Sequence, residues 1–149
     1  MTNSIEEIID TDAMFVIGSN TTENHPIIGA RMKQAIKNGS KLIVADPRRI
    51  ELADYADVFL QLKPGTNIAL LNGMMNVILQ KGLYDKEYIE ERCENFEELV
   101  EVVKEYTPER VAEICNVKAE DIIKAAIIYG EADKAGIYYT MGVTQHTTG

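Results

Sequence analysis

The sequence predicts an α/β fold in which a parallel sheet is flanked by helices. Two short apolar runs, 13–17 and 41–45, have the composition of strands that are buried on both faces. The segment between them carries apolar residues at helical spacing, from Ile28 to Ile36. A strand, a helix and a second strand in this order form a βαβ unit, whose strands are parallel and whose crossover is right-handed.

Turn and cap signals predict the next elements. Pro26 suits the first turn of the helix, because its missing N–H has no partner there in any case, and Asn38 lies where the helix should end. A third strand is predicted over 58–62. Thr66 is predicted to cap the helix that follows, and Gly82 to end it.

The region of about 85–131 is predicted to be a helical insertion. Within it, Asn95 and Glu98 have the spacing of a capping box. A last strand, 136–140, is apolar and is predicted to be buried. A polar loop rich in glycine and threonine follows, and it leaves this strand without a covering element. We therefore expect the chain to be a piece of a larger subunit.

Composition limits the function. The 149 residues fit one domain, 1–149, and the formal charge of −9 argues against a nucleic-acid partner, which needs a basic surface. Cys93 and Cys115 have no metal-ligand spacing and lie on apolar stripes, so both are expected to be buried free thiols. No apolar run is long enough to span a membrane. These features predict a cytoplasmic domain without membrane contact and without its own metal site.

Polar loops follow all four predicted strands. In an open parallel sheet, ligands bind beyond the carboxyl ends of the strands. There Gly18 would let a ligand approach the backbone, and the helix that opens at Pro26 would offer N–H groups to phosphate. Asp46 suits ribose hydroxyls or guanine but could equally cap the next turn. Arg48 suits a phosphate but could instead pair with Glu51.

Several familiar motifs are absent from the sequence. The first loop is not GxGxxG, and there is no GxxxxGK[ST], nucleophile elbow or HExxH. His25 has no acid–base partner in sequence and is expected to pack at a helix start. The residues by themselves therefore predict an unusual nucleotide-binding domain that lacks a catalytic group.

Five segments of the chain form an ordered set that spans nearly its whole length: GSNTTENHP at 18–26, ADPR at 45–48, KPGTNIAL at 63–70, YTPE at 106–109 and MGVTQH at 141–146. These segments resemble, in the same order, parts of formate dehydrogenase large subunits, in the molybdopterin oxidoreductase superfamily. The form of the last one is similar to formate dehydrogenases in particular.

The resemblance implies a Rossmann-like domain that binds one of two molybdopterin guanine dinucleotides. It implies that the intact subunit oxidises formate to CO₂ at molybdenum or tungsten, and that electrons pass through a 4Fe-4S cluster to an electron-transfer subunit. Its metal ligand, cluster cysteines and catalytic arginine match no residue here, so the isolated chain is expected to be inactive. The residues that the resemblance implies as cofactor contacts are Gly18, Ser19, Asn20, Glu23, Asn24, Asp46, Pro47, Arg48, Lys63, Gly65, Thr66, Asn67, Met141, Gly142 and Gln145.

Two alternatives remain open at the level of sequence. A free-standing module for a common nucleotide would carry the same polar loops. A domain of another molybdopterin oxidoreductase, such as a nitrate reductase, would share the same segments. Selectivity for guanine nucleotides would separate the first alternative from a dinucleotide domain.

Overall fold

The computed structural model describes residues 3–147 and contains one four-stranded sheet within that range. The strands are β1 (Ala13–Ile17), β2 (Lys41–Ala45), β3 (Val58–Leu60) and β4 (Ala135–Tyr139). The helices are α1 (Thr21–Asn24), α2 (Pro26–Lys37), α3 (Asn67–Lys81), α4 (Lys86–Arg92), α5 (Phe96–Lys104), α6 (Pro108–Cys115), α7 (Ala119–Gly130) and α8 (Met141–Thr144). Two 3₁₀ turns of helix occupy Glu6–Asp10 and Glu51–Tyr55.

The strand order is β3-β2-β1-β4, and every neighbouring pair is parallel. The chain moves outward from β1 through β2 to β3, and then returns to place β4 on the other side of β1. This reversal leaves the carboxyl ends of β1 and β4 side by side, at the switch point where open α/β sheets bind ligands. The predicted α/β fold with a parallel sheet is confirmed.

Two apolar layers cover the sheet. On one face, Phe15 and Ile17 pack with the inner sides of α3, α6 and α7, where Leu70 and Ile122 are fully buried. On the other face, Met14 and its neighbours pack against α2 and the two 3₁₀ segments. Strands β1 and β2 are buried on both faces, which explains why they are almost continuously apolar.

The last strand differs from its prediction. β4 covers Ala135–Tyr139, and Ile137 and Tyr139 are 49% and 60% exposed. The strand pairs with β1 along one side, and α7 reaches β1 and β3 but does not shield these two side chains. The sequence prediction of a buried strand was therefore wrong, because it was based on the apolar composition of the strand alone.

The helical insertion is confirmed as four helices, although several of its details differ. Asn95 adopts a left-handed conformation and makes no capping bond with its side chain, so the capping box is absent. Cys93 is exposed, because it lies at the end of α4, a helix without a buried residue. Strand β3 ends at Leu60, two residues earlier than expected. Thr66 precedes α3, but its hydroxyl donates to the Lys63 carbonyl instead of capping the helix.

Candidate functional site

The loops after β1 and β4 touch backbone to backbone at the switch point. The Gly142 N–H donates to the Gly18 carbonyl at 3.2 Å. Gly18 has a φ of +57°, and a Cβ built on it would lie 2.7 Å from the Gly142 carbonyl carbon. A Cβ on Gly142 would likewise lie 2.6 Å from the Gly18 Cα. The close approach that Gly18 permits is therefore to another loop of this chain.

Two side chains secure this contact. The Thr140 hydroxyl donates to the Gly18 carbonyl at 3.0 Å, so that oxygen accepts two hydrogen bonds. The Asn67 side-chain amide donates to the Gly142 carbonyl at 3.3 Å. Asn67 begins α3, so the structure joins the loops after β1, β3 and β4 into one unit. Sequence reasoning did not single out Thr140, although it directly precedes the MGVTQH segment.

The loop after β2 is folded on itself. One Asp46 oxygen accepts the Arg48 backbone N–H at 2.8 Å, and the Arg48 Nε lies 3.7 Å from the same oxygen. Asp46 is buried, whereas the Arg48 side chain is 73% exposed. Asp46 thus caps the turn, as one of its two sequence interpretations proposed. Glu51 pairs with Lys33 and not with an arginine of this loop.

The loop after β3 rests on the end of α6. The Lys63 N–H donates to the Cys115 carbonyl at 2.9 Å, and the Cys115 thiol donates to the Thr66 carbonyl at 3.5 Å. Burial raises the pKa of the Cys115 thiol, and the nearby charge of Lys63 partly opposes that shift. This thiol is a buried structural group, as the sequence predicted. The loop is therefore braced from below, and the Lys63 side chain remains exposed.

The loop after β1 carries buried polar side chains. Ser19, Asn20 and Thr21 are all less than a tenth exposed. The Asn20 side-chain oxygen accepts the Thr22 hydroxyl at 3.0 Å, and the Thr21 hydroxyl contacts the Met32 sulfur at 3.7 Å. The Ser19 hydroxyl makes no hydrogen bond to any other residue between 3 and 147. Ser19 borders an open groove, so its hydroxyl is a donor that a ligand could reach.

That groove has a volume of about 1170 Å³ and runs along β4 on the α2 side of the sheet. Its polar end lies at the switch point and is formed by Ser19, His25 and Thr140. Its apolar part includes Ile28 and Tyr138. Burial raises the pKa of the Tyr138 hydroxyl, and a hydrogen bond with Thr11 partly opposes that shift. Among the residues that the sequence singled out as cofactor contacts, Ser19 alone borders this groove.

The start of α2 lies next to the same loop. Its cap position is His25, whose side chain makes no capping hydrogen bond, and Pro26 is the first helical residue. First-turn N–H groups without a side-chain cap, together with the positive end of the helix dipole, suit an anionic ligand. His25 is exposed, which is contrary to its expected packing role.

The structure brings the sequence-selected residues to one edge of the sheet, at different depths. Gly18, Pro47, Thr66 and Gly142 are half-buried, and Ser19, Asn20, Asp46 and Asn67 are buried. Seven are exposed and could meet a ligand from solvent: Glu23, Asn24, Arg48, Lys63, Gly65, Met141 and Gln145.

Neither a membrane span nor a metal-binding cluster occurs among residues 3–147. No helix in this range is both long and apolar enough to cross a bilayer. No group of three or more His, Cys, Asp or Glu side chains in the same range is arranged to hold a metal ion.

A match to a protein-family model shows which family this chain belongs to. The model described as molybdopterin oxidoreductase matches residues 1–149. The chain belongs to the molybdopterin oxidoreductase family. This confirms the superfamily that the five sequence segments indicated.

Individual members of the molybdopterin oxidoreductase family are similar over all or nearly all of the chain. The chain is 53% identical over 149 residues to the F420-dependent formate dehydrogenase subunit alpha of Methanocaldococcus jannaschii, and covers 22% of that protein. It is 48% identical over 149 residues to formate dehydrogenase H of Escherichia coli, and covers 21% of it. The structure matches acetylene hydratase from Pelobacter acetylenicus with a TM-score of 0.85 and 38% identity, over 93% of this chain and 20% of that one.

These relatives are much longer than this chain. The chain spans about a fifth of the length of the curated proteins that it matches. Its sequence identity to the formate dehydrogenase alpha subunit, 53%, is higher than the 38% to the hydratase, whose solved structure shares its fold.

Proposed function

We propose that this chain is a single cofactor-binding domain, residues 1–149, of a formate dehydrogenase large subunit. Its role would be to hold a molybdopterin guanine dinucleotide. The observation that carries this proposal is the meeting of the loops after β1, β3 and β4 at the switch point of a parallel sheet. The identity of 53% with a formate dehydrogenase alpha subunit supports the choice of parent enzyme.

The polar groups at this edge fit such a ligand. A dinucleotide requires donors for its phosphates and acceptors for its ribose and base. Exposed cations at Arg48 and Lys63 and the uncapped start of α2 supply donors. The second oxygen of Asp46 would be an acceptor for guanine or ribose, and the Ser19 hydroxyl would be a donor, because it has no hydrogen-bond partner among residues 3–147. The remaining contacts would come from Asn20, Glu23, Asn24, Pro47, Gly65, Thr66 and the loop with Met141, Gly142 and Gln145, and Asn67 would support that loop.

The chemistry would belong to the intact subunit. The cofactor would supply molybdenum or tungsten at which formate is oxidised, and a 4Fe-4S cluster would carry the electrons to a partner subunit in the cytoplasm. This domain would bind and orient the dinucleotide with the fixed loops at the carboxyl ends of its strands. We propose that the isolated chain does not oxidise formate, and turnover by the chain with added cofactor would contradict this.

The exposed face of β4 supports a place within a larger subunit. Ile137, Tyr139 and Met141 are all at least 49% exposed, and they follow one another along the last strand and the loop after it. A row of large apolar side chains of this kind is typical of a surface that another part of a protein covers. We propose that neighbouring domains of the same subunit cover it.

An amide-resolved NMR titration with GDP tests the site, with ADP and NAD as comparison ligands. We expect selective shifts at Gly18, Ser19 and Arg48 with GDP. Asp46→Asn should weaken GDP binding by about tenfold, the size of one charge-assisted hydrogen bond. The control is Asp54→Asn, which alters an exposed aspartate paired with Arg49 and should leave the affinity unchanged.

Two results would contradict the proposal. An equal response to ADP or NAD at these loops would favour the free-standing module for a common nucleotide. The same affinity loss in both aspartate variants would show that general charge, and not the turn after β2, governs binding. A domain of another molybdopterin oxidoreductase, such as a nitrate reductase, would pass both tests. It is separated from this proposal by the substrate of the intact subunit.

A further inference from the structure

Asn67 combines deep burial with a contact at the site. It is the first residue of α3 and is 7% exposed. Its side-chain amide donates to the Gly142 carbonyl, across 75 positions of the chain. The start of α3 is itself held in place, because Leu70, about one helical turn after Asn67, is fully buried in the core. Asn67 is thus a rigid point from which the loop after β4 is held.

The hydrogen bond from Asn67 fixes the direction of the peptide group between Gly142 and Val143. The N–H of Gly142 points at the Gly18 carbonyl, while the carbonyl of Gly142 is held by Asn67. Gly142 lacks a side chain that could keep it in place, and α8, in which it lies, has four residues and no buried one. The contact between Gly18 and Gly142 therefore depends on groups supplied by other elements.

We propose that Asn67 is a positioning residue of the candidate site, acting through Gly142 and not by contacting the ligand. It holds the loop after β4 against the loop after β1 before any ligand binds. This inference rests on the proposed function for its consequence, which is nucleotide affinity. Its structural part, the hold on Gly142, is independent of any ligand.

Asn76 provides a matched control within the same helix. It is 3% exposed, and its amide donates to the Val103 carbonyl at 3.0 Å. Asn67→Ala removes one hydrogen bond from a side-chain amide to a backbone carbonyl. Asn76→Ala removes bonds of the same kind, to the Val103 and Lys104 carbonyls, together with one accepted from Gln80. Asn67→Asp is a second variant, which keeps the shape, removes the donor and suits the start of a helix. This variant keeps the test valid if the alanine variant folds poorly.

The first measurement is amide hydrogen exchange of the 149-residue chain without ligand. We expect the Gly142 N–H to exchange about two- to tenfold faster in both Asn67 variants, relative to the change at the core residue Val44. The Asn76→Ala variant should show no such excess. An unchanged Gly142 exchange rate in the Asn67 variants, or an equal excess in Asn76→Ala, would overturn the inference.

The second measurement is the GDP affinity of the same proteins. Both Asn67 variants should bind GDP several-fold more weakly, and Asn76→Ala should match the wild-type chain. A loss of affinity without faster Gly142 exchange would mean that Asn67 contacts the ligand itself, which overturns its positioning role. Faster exchange with unchanged affinity would overturn that role as well. Failure of the wild-type chain to bind GDP would refute the proposed function, whereas the exchange data would still decide whether Asn67 holds Gly142.

Discussion

The backbone contact between Gly18 and Gly142 makes a quantitative prediction about stability. Replacing Gly18 by alanine has two costs, because φ at this position is +57° and the new Cβ would lie 2.7 Å from the Gly142 carbonyl carbon. A left-handed alanine costs about 1–2 kcal/mol, and overpacking in a tight site costs about 1–3 kcal/mol. We therefore expect Gly18→Ala to lower the free energy of unfolding by about 2–5 kcal/mol.

Two other glycines separate these contributions. Gly82 has a φ of +67° and open space around its Cβ position, so Gly82→Ala reports the conformational cost alone, about 1–2 kcal/mol. Gly142 has no positive φ, but its Cβ would lie 2.6 Å from the Gly18 Cα, so Gly142→Ala reports the packing cost alone, about 1–3 kcal/mol. The Gly18 variant should lose roughly the sum of the other two.

Urea unfolding followed by circular dichroism measures all three variants against the wild-type chain. The midpoint should move while the slope of free energy against urea stays constant, because the surface exposed on unfolding is unchanged. The reasoning is refuted if Gly142→Ala lies within about 0.5 kcal/mol of the wild-type chain, the usual effect of a neutral surface change. It is also refuted if Gly18→Ala and Gly82→Ala lose the same amount.

Three further predictions address reactivity, pH and surface. Cys93 should react with a thiol reagent in the native chain, whereas Cys115 should react after denaturation alone, and two fast thiols would contradict the fold around α6. Burial raises the pKa of Asp57, but the Leu42 N–H and nearby lysines outweigh burial and lower it. Its carboxylate therefore adds stability above the unfolded pKa of about 3.9, and this stability is lost as pH falls through the lower folded pKa. Asp57→Asn should accordingly cost about 1 kcal/mol at pH 7 and almost nothing at pH 2, and an equal cost at both would reject this assignment. Tyr139→Ser should reduce self-association in sedimentation experiments without lowering the melting temperature, and a large loss of stability would show that this side chain is needed in the core.

The fold was accessible from sequence because its signals are local. Strands β1 and β2 are continuous apolar runs, and Pro26 and Gly82 mark helix boundaries through their own backbone preferences. The burial of the β4 side chains depends on neighbouring elements instead. Its composition resembles that of a central strand, but its outer side has no partner among residues 3–147. Cys93 is exposed for the same reason. An apolar stripe on a helix is buried when another element covers it, and no residue of α4 is buried.

The polar loops were also accessible from sequence, but not the bonds among them. Topology brings the carboxyl ends of parallel strands to one edge, so the residue list could be assembled from strand positions alone. The contact of Gly18 with Gly142 joins positions 124 residues apart, and no local pattern encodes it. Thr140 and Asn67 acquire their roles through that contact.

The sequence by itself determined the α/β class, the order of the strands and longer helices, the four polar segments that follow the strands and the molybdopterin oxidoreductase family. Periodicity, caps and motifs are properties of residues that are close in the sequence, so they can be recognised without knowledge of the packing. The tertiary structure alone decided which polar groups are buried, which loops touch and which face of the sheet stays bare. Burial and long-range contact depend on elements distant in the chain, and the free energy of each group depends on what those elements place beside it.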